Sequence, residues 1–291
     1  MSVAQAIILG IIQGLTEFLP VSSSGHLALF KGLFNLESDG GVLFDVLLHV
    51  ATLIAVFAMY YKDIIKLLAE FGGICADVFV NIRIFFRNIS AINKEGYKQI
   101  VTNMYRKFVV MLLISCIPTA IIGALLNDVV DVVGDNLLVV GFCLIGTGGI
   151  LFLSDTITNG VKKQKEATYK DAAYIGISQG VATLPGISRS GTTITACLLC
   201  GFDRKYAVKY SFIMSMPAIL GALILKLFKL SESAASAPTA GIILGMLLAA
   251  IVGYASLYIV NKLVLNKGFK YFWIYCMVMG TLSIIVFLVK L

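Results

Sequence analysis

Residues 10–26 read GIIQGLTEFLPVSSSGH and residues 176–192 read GISQGVATLPGISRSGT. Laid over one another without a gap, at an offset of 166, they share Gly10/Gly176, Ile11/Ile177, Gln13/Gln179, Gly14/Gly180, Ser22/Ser188, Ser24/Ser190 and Gly25/Gly191. Each stretch is apolar at its ends and broken at its centre by proline, glycine and hydroxyl residues. Proline cannot continue a helix, and it pushes the residue before it out of the α region. Residues 4–16 therefore read as a half-helix of roughly 20 Å at about 1.5 Å per residue. Pro20 stops it, and Ser22 or Ser23 can cap a return half-helix running to Leu36. The second copy stops at Pro185 and Gly186 and restarts at Ser188.

Outside these two breaks the chain is built for lipid. Of its 291 residues 59% are apolar and only 13% charged, and the mean hydropathy is +0.94. A soluble domain has about 45–50% apolar and about 25% charged residues. A cytosolic domain, a disordered chain and a nucleic-acid binder with a wet basic face are excluded. Six cysteines in 291 residues are too sparse for a secreted disulfide scaffold. Six stretches can cross a bilayer as helices: 42–61, 108–126, 137–154, 210–227, 240–261 and 271–290.

Lysine and arginine counts set the topology. If both broken segments re-enter on the side they came from, the loops 62–107, 155–171, 201–209 and 262–270 lie inside with 18 Lys and Arg. Four then lie outside (Lys31, Lys226, Lys229, Lys290) and Arg189 is buried. If both segments span, the split is 15 to 7. Positive charge collects on the cytoplasmic side, which favours re-entry. Within the first of these loops, Val78 to Ile89 suits an interfacial helix and equally a frayed extension of a span. The acidic loop Asp128, Asp131, Asp135 falls outside either way.

Each broken segment is followed by three spans. Three is odd, so the second half enters upside down relative to the first, and such inverted repeats place their ligand site near the bilayer midplane. The expected fold is an all-α polytopic membrane protein with an inverted-topology repeat, each half one re-entrant helical hairpin plus three transmembrane helices. Residues 1–154 form the first repeat, 155–171 a basic cytoplasmic linker and 172–291 the second. The whole is one integral membrane domain.

The two return helices start deep in the protein, so their free N–H groups and positive dipole ends face the centre and suit an anion. Glu17, Ser22, Ser23, Ser24, Gly25 and His26 lie at the first break; Ser188, Arg189, Ser190, Gly191, Thr192 and Thr193 lie at the second. A buried Glu17–Arg189 ion pair would account for the charges alone, but not for the hydroxyls around them. Arg189 offers a planar fork for phosphate oxygens. Glu17 would repel a phosphate unless a hard divalent cation, Mg²⁺ or Ca²⁺, stands between them. Ser23 and His26, three residues apart, share a helix face and resemble an activated nucleophile with its base. His49, in an apolar run, reads as a packing residue, as do Cys197 and Cys200. Trp273 with Tyr271 and Tyr275 reads as an interfacial anchor.

QGLTEFLPVSSSGH at 13–26 and LPGISRSGTT at 184–193 resemble the two signature motifs of the bacterial undecaprenyl-diphosphate phosphatase family, the bacitracin-resistance type. The resemblance covers nearly the whole chain. It implies removal of the terminal phosphate from a C55 polyprenyl diphosphate, which recycles the carrier lipid for cell-wall synthesis. It also implies a multi-pass protein of the bacterial plasma membrane with a site open to the outer face. The family's functional residues fall on Gln13, Glu17, Ser23, His26, Ser188, Arg189 and Thr193. The family's first motif has Glu or Gln where Gln13 stands. Members with Glu there have a second carboxylate, so Glu17 here stands alone as the metal-binding carboxylate. The implied partners are the lipid and the bilayer, with no nucleic acid; the sequence leaves the oligomeric state open.

Ser23 as nucleophile, His26 as nucleophile and a metal-bound water all remain open. A flippase or transporter of polyprenyl phosphate or another anionic lipid is the alternative from a different class, since broken helices in inverted repeats also build transporters. Simple anion binding needs no base, which favours the enzyme.

Overall fold

The computed structural model describes residues 2–34, 41–90, 92–157, 160–230, 240–265 and 268–290. Leu36, the side chains of Lys226 and Lys229, and Lys267 lie outside the described residues.

Four short helices form the two broken segments: α1 (Val3–Phe18) and α2 (Ser23–Leu33), then α6 (Tyr169–Val181) and α7 (Arg189–Leu199). At 16, 11, 13 and 11 residues, each falls short of the ~20 needed to cross a bilayer. The long helices are α3 (Gly41–Ser90), α4 (Met104–Val133), α5 (Leu137–Thr156), α8 (Arg204–Leu230), α9 (Ala240–Leu265) and α10 (Phe269–Lys290). All six are long and apolar enough to span, so the protein is an all-α polytopic membrane protein.

Residues 62–90, within the segment read as the first cytoplasmic loop, are helical: they continue α3, bent at Tyr60 where the backbone leaves helical values (φ −112°, ψ 20°). Val78 to Ile89 belong to that same helix. The reason lies in the buried side of the extension. Ile64, Leu67 and Ile74 are buried there, while Arg106 of α4 pairs with Glu70 and Asp77 at 2.9 and 2.6 Å. Tyr61, Ile65, Leu68, Phe79, Ile82 and Phe86 point outward from the other side. The acidic loop is also shorter than expected, since α4 carries Asp128 and Asp131 and only Asp135 follows it.

Helix partners exchange between the halves. α1 lies along α9, and α6 lies along α4; α3 meets α8, and α5 meets α10. Glycine makes the first two contacts close. A Cβ on Gly10 would overlap the Gly245 carbonyl of α9, and one on Gly176 the Ser115 carbonyl of α4. Pro118 inside α4 leaves a gap in its own ladder. Hydroxyls bind this stretch of α4 to α6: Ser115 Oγ donates to Ala172 O at 2.7 Å and Thr119 Oγ1 to Gly176 O at 2.9 Å.

Candidate active site

The two breaks cap their return helices in the same way. Ser22 Oγ accepts from Gly25 N at 3.3 Å, and Ser188 Oγ accepts from Gly191 N at 3.1 Å. Within each break the paired hydroxyls stand 3.3 Å apart, Ser22 by Ser24 and Ser188 by Ser190. The breaks then clasp one another. Gly186 N donates to Ser24 Oγ at 3.4 Å, and Ser190 Oγ donates to Leu19 O at 3.3 Å. Gly186 has φ +93°, and a Cβ there would meet Cys143 and the Val140 carbonyl at 2.6 Å, so the turn admits only glycine.

One difference between the breaks shapes the site. Ser22 has φ +71°, the one positive φ among the described non-glycine residues, whereas Ser188 has φ −73°. A left-handed serine is strained and is held there by its surroundings. The turn it makes aims Ser23 back at α1, where Ser23 Oγ donates to Glu17 Oε2 at 2.6 Å.

Ser23 and Arg189 are the first residues of α2 and α7 and match one another in the repeat. Both reach the same carboxylate. Arg189 Nη2 pairs with Glu17 Oε1, while Ser23 takes Oε2. Gln13, one turn before Glu17 on α1, adds Nε2 to Oε2 at 2.9 Å. The Glu17 side chain is 1% exposed and that of Arg189 is 23% exposed, so the arginine faces a cleft that the carboxylate only floors. That narrow cleft lies between Glu17, Phe18, Arg189 and Ser190 on one side and Ser211, Phe212 and Ser215 of α8 on the other. Thr193 Oγ1 holds the arginine's turn through Arg189 O at 2.8 Å and lies 2.5 Å from Ser211 Oγ. Thr192 Oγ1 is buried with no hydrogen-bond partner.

The expected Ser23–His26 pair is not formed. His26 Nδ1 lies 2.7 Å from the Ser22 carbonyl one turn back, and its Nε2 lies 2.8 Å from the Tyr275 hydroxyl of α10. A carbonyl only accepts, so Nδ1 carries the proton and Nε2 of the neutral ring accepts from Tyr275. Both nitrogens are engaged, and Ser23 has Glu17 instead. Tyr275, read from sequence as part of an interfacial anchor, is thus His26's partner.

His49, read as a packing residue, stands beside the carboxylate. Its Nδ1 lies 2.7 Å from Asp45 O, and its Nε2 lies 3.7 Å from Glu17 Oε2. The available signal was the cost of an imidazole in an apolar span, in a chain with only two histidines. Ser211 and Ser215 left no trace in sequence, because their role depends on how α8 crosses α7. Beyond His49, Lys31 of α2 and Asp45 pair at 2.7 Å. Among the described residues no three His, Cys, Asp or Glu side chains cluster so as to hold a metal by themselves. The described cysteines are all free thiols, Cys197 and Cys200 included.

Residues 6–282 match the family described as bacitracin resistance protein BacA. The chain is 36% identical over 285 residues to an undecaprenyl-diphosphatase of Methanosphaera stadtmanae, with 98% of each chain covered. It is 38% identical over 286 residues to an undecaprenyl-diphosphatase of Desulforapulum autotrophicum, again with 98% of each covered. To that of Treponema denticola it is 39% identical over 280 residues, with 96% of each covered.

Proposed function

The chain belongs to the bacitracin resistance protein BacA family, and from that membership we infer that it is an undecaprenyl-diphosphatase. It is a hydrolase of the membrane that converts undecaprenyl diphosphate to undecaprenyl phosphate and inorganic phosphate. Release of the monophosphate carrier supplies cell-wall synthesis and confers bacitracin resistance. The observation that carries the reading to particular residues is the Glu17 carboxylate, shared by the first residues of α2 and α7 beside a cleft. A flippase needs anion binding but no hydroxyl hydrogen-bonded to a buried base.

In the proposed reaction the diphosphate head enters the cleft and draws Arg189 from Glu17 onto its terminal phosphate. The free N–H groups at the starts of α2 and α7 and the hydroxyls of Ser190, Ser211 and Ser215 face the phosphates, while Ser22, Ser24, Ser188, Thr192 and Thr193 shape the two turns behind them. The prenyl tail stays in lipid. Ser23 Oγ attacks the terminal phosphorus in line, its proton passes to Glu17, and the bond to the bridging oxygen breaks. Undecaprenyl phosphate leaves, and water then cleaves the seryl phosphate. The roles differ from the sequence reading in one respect: Glu17 takes the proton, and His26 positions the first turn of α2 through Ser22 and Tyr275.

A divalent cation fits this donor set. Gln13 is fully buried and its Oε1 lacks a hydrogen-bond partner, so an amide oxygen is spare one helical turn from the Glu17 carboxylate. Glu17 would hold the ion and the phosphates would complete its shell, as is usual for Mg²⁺. When bound, the ion offsets phosphate charge. The surplus of Lys and Arg in the segments read as cytoplasmic supports re-entry of both broken segments and a site open to the outer face. The exchange of helix partners between the halves supports the inverted repeat.

The test is phosphate release from polyprenyl diphosphate by the purified chain in detergent, with and without a chelator. Arg189→Ala and Glu17→Ala serve as inactive controls. Lipid movement across vesicles with no phosphate released would favour the flippase.

A further inference from the structure

The imidazole of His49 and the carboxylate of Glu17 meet at a distance that suits either a shared proton or a shared metal ion. His49 Nδ1 faces the Asp45 carbonyl at 2.7 Å. A carbonyl cannot donate, so Nδ1 carries the ring proton. In the neutral ring Nε2 therefore presents a lone pair, and it faces Glu17 Oε2 at 3.7 Å. Two electron-pair donors face one another across a gap too long for a hydrogen bond. Bonds of about 2.1 Å from one ion to a nitrogen and an oxygen put those atoms roughly 3–4 Å apart. A third donor lies close. Gln13 places Nε2 on the same Glu17 Oε2 at 2.9 Å and leaves Oε1 buried without a partner. Turning that amide over exchanges the two atoms and brings the spare oxygen to the carboxylate, a change favoured only with a cation present.

From this we propose that His49 Nε2 is a metal ligand, which together with Glu17 and the Gln13 amide oxygen makes a mixed nitrogen–oxygen site for a first-row divalent ion. The inference rests on the phosphatase reading for the ion's use, but the site stands on its own geometry. The Nδ1–carbonyl contact is the second interaction that ligating histidines ordinarily make; it sets the tautomer and aims Nε2. His26 has the same backbone contact, yet its Nε2 is occupied by Tyr275. A nitrogen ligand also shifts preference away from Ca²⁺ and Mg²⁺, which take oxygen, toward ions that accept imidazole.

The chain has only two histidines, which makes the test clean. Mn²⁺ alone is added to the full-length protein in detergent, purified without a histidine tag, and pulsed electron paramagnetic resonance reads nitrogen coupling to the bound ion. The wild type shows imidazole coupling, which changes to the ¹⁵N pattern on labelling histidine with ¹⁵N. His26→Ala keeps it, while His49→Ala loses it and binds Mn²⁺ at least tenfold more weakly. If His49→Ala fails to fold, His26→Ala with labelled histidine still decides, because His49 is then the one histidine left. Bound Mn²⁺ without nitrogen coupling, as when a proton rather than a metal bridges His49 and Glu17, overturns the proposal. So does coupling lost with His26, or no Mn²⁺ binding at all. Phosphate release by the wild type is measured separately, so a failure of the activity reading is distinguishable from a failure of the site.

Discussion

Ser23 Oγ donates to Glu17 Oε2 at 2.6 Å across the break between α1 and α2. The bond closes a turn in which Ser22 is held at φ +71°, and it joins a hydroxyl to a side chain 1% exposed. A carboxylate so placed can take the hydroxyl proton as the oxygen attacks phosphorus. Glu17→Gln keeps the shape and loses the base. It should lower kcat for phosphate release by about 10²–10⁴, and Ser23→Ala by at least as much. Rapid-quench mass spectrometry should find phosphate on Ser23 in the wild type. Full activity in Ser23→Ala would pass the attack to water.

Arg189→Lys keeps the charge and removes the fork. Lysine is a point charge and cannot place two parallel N–H groups on one phosphate. Steady-state kinetics should show kcat/KM down by about 10²–10³, most of it in kcat. An unchanged kcat would assign Arg189 to lipid binding rather than to the reaction.

Gln13 is the place where the site can be strengthened. Gln13→Glu supplies a second carboxylate beside Glu17, and divalent-ion titration should show binding tightened by about tenfold or more. Gln13→Leu should weaken it, since the amide oxygen goes and nothing replaces it. Equal ion affinity in both variants would count against a role for Gln13.

The contact between α1 and α9 depends on the absence of side chains. A Cβ at Gly14 would come within 2.8 Å of the Ala249 carbonyl, and Gly10 is tighter still. Because backbone cannot yield as a flexible side chain does, Gly10→Val should destabilise by about 1–3 kcal/mol or more. It would move α1, and with it Glu17. Thermal unfolding in detergent checks it, and an unshifted midpoint would mean that the helices separate at little cost.

Acid sensitivity should appear where the halves are joined. Burial alone would raise the Asp171 carboxyl. The Lys162 ammonium and the N–H and hydroxyl of Thr168 outweigh it and hold the group below its ordinary 3.8. A depressed carboxylate contributes stability that is complete above the unfolded value and lost as pH falls through the folded one. Lys162→Met should therefore lower the unfolding midpoint at neutral pH, and its difference from wild type should shrink below about pH 3.8. A gap that stays constant down to about pH 3 would show that Lys162 acts through packing instead.

Much of this was legible in one dimension. Six long apolar runs are spans because backbone polar groups in lipid must be satisfied within the helix. Pro20, Pro185 and Gly186 break the other two runs because proline lacks the donor and glycine tolerates the turn. Glu17, Ser23 and Arg189 stand out because a charge in an apolar segment is costly without a partner. The α3 extension was harder to read. Its charges resemble a loop's, and pairing with the far-off Arg106 is what makes Glu70 and Asp77 a helix face.

Composition and local sequence thus determined which segments enter the membrane, where they break and which side chains sit at the breaks, since those follow from hydropathy and backbone chemistry alone. Pairing was decided in three dimensions. Ser23 meets Glu17 rather than His26, His26 meets Tyr275 from 249 residues away, and His49 arrives at the carboxylate from another helix. Spacing on one helix says which residues share a face. It cannot say which neighbouring helix that face will meet, because that is settled by how glycine-lined backbones close against each other.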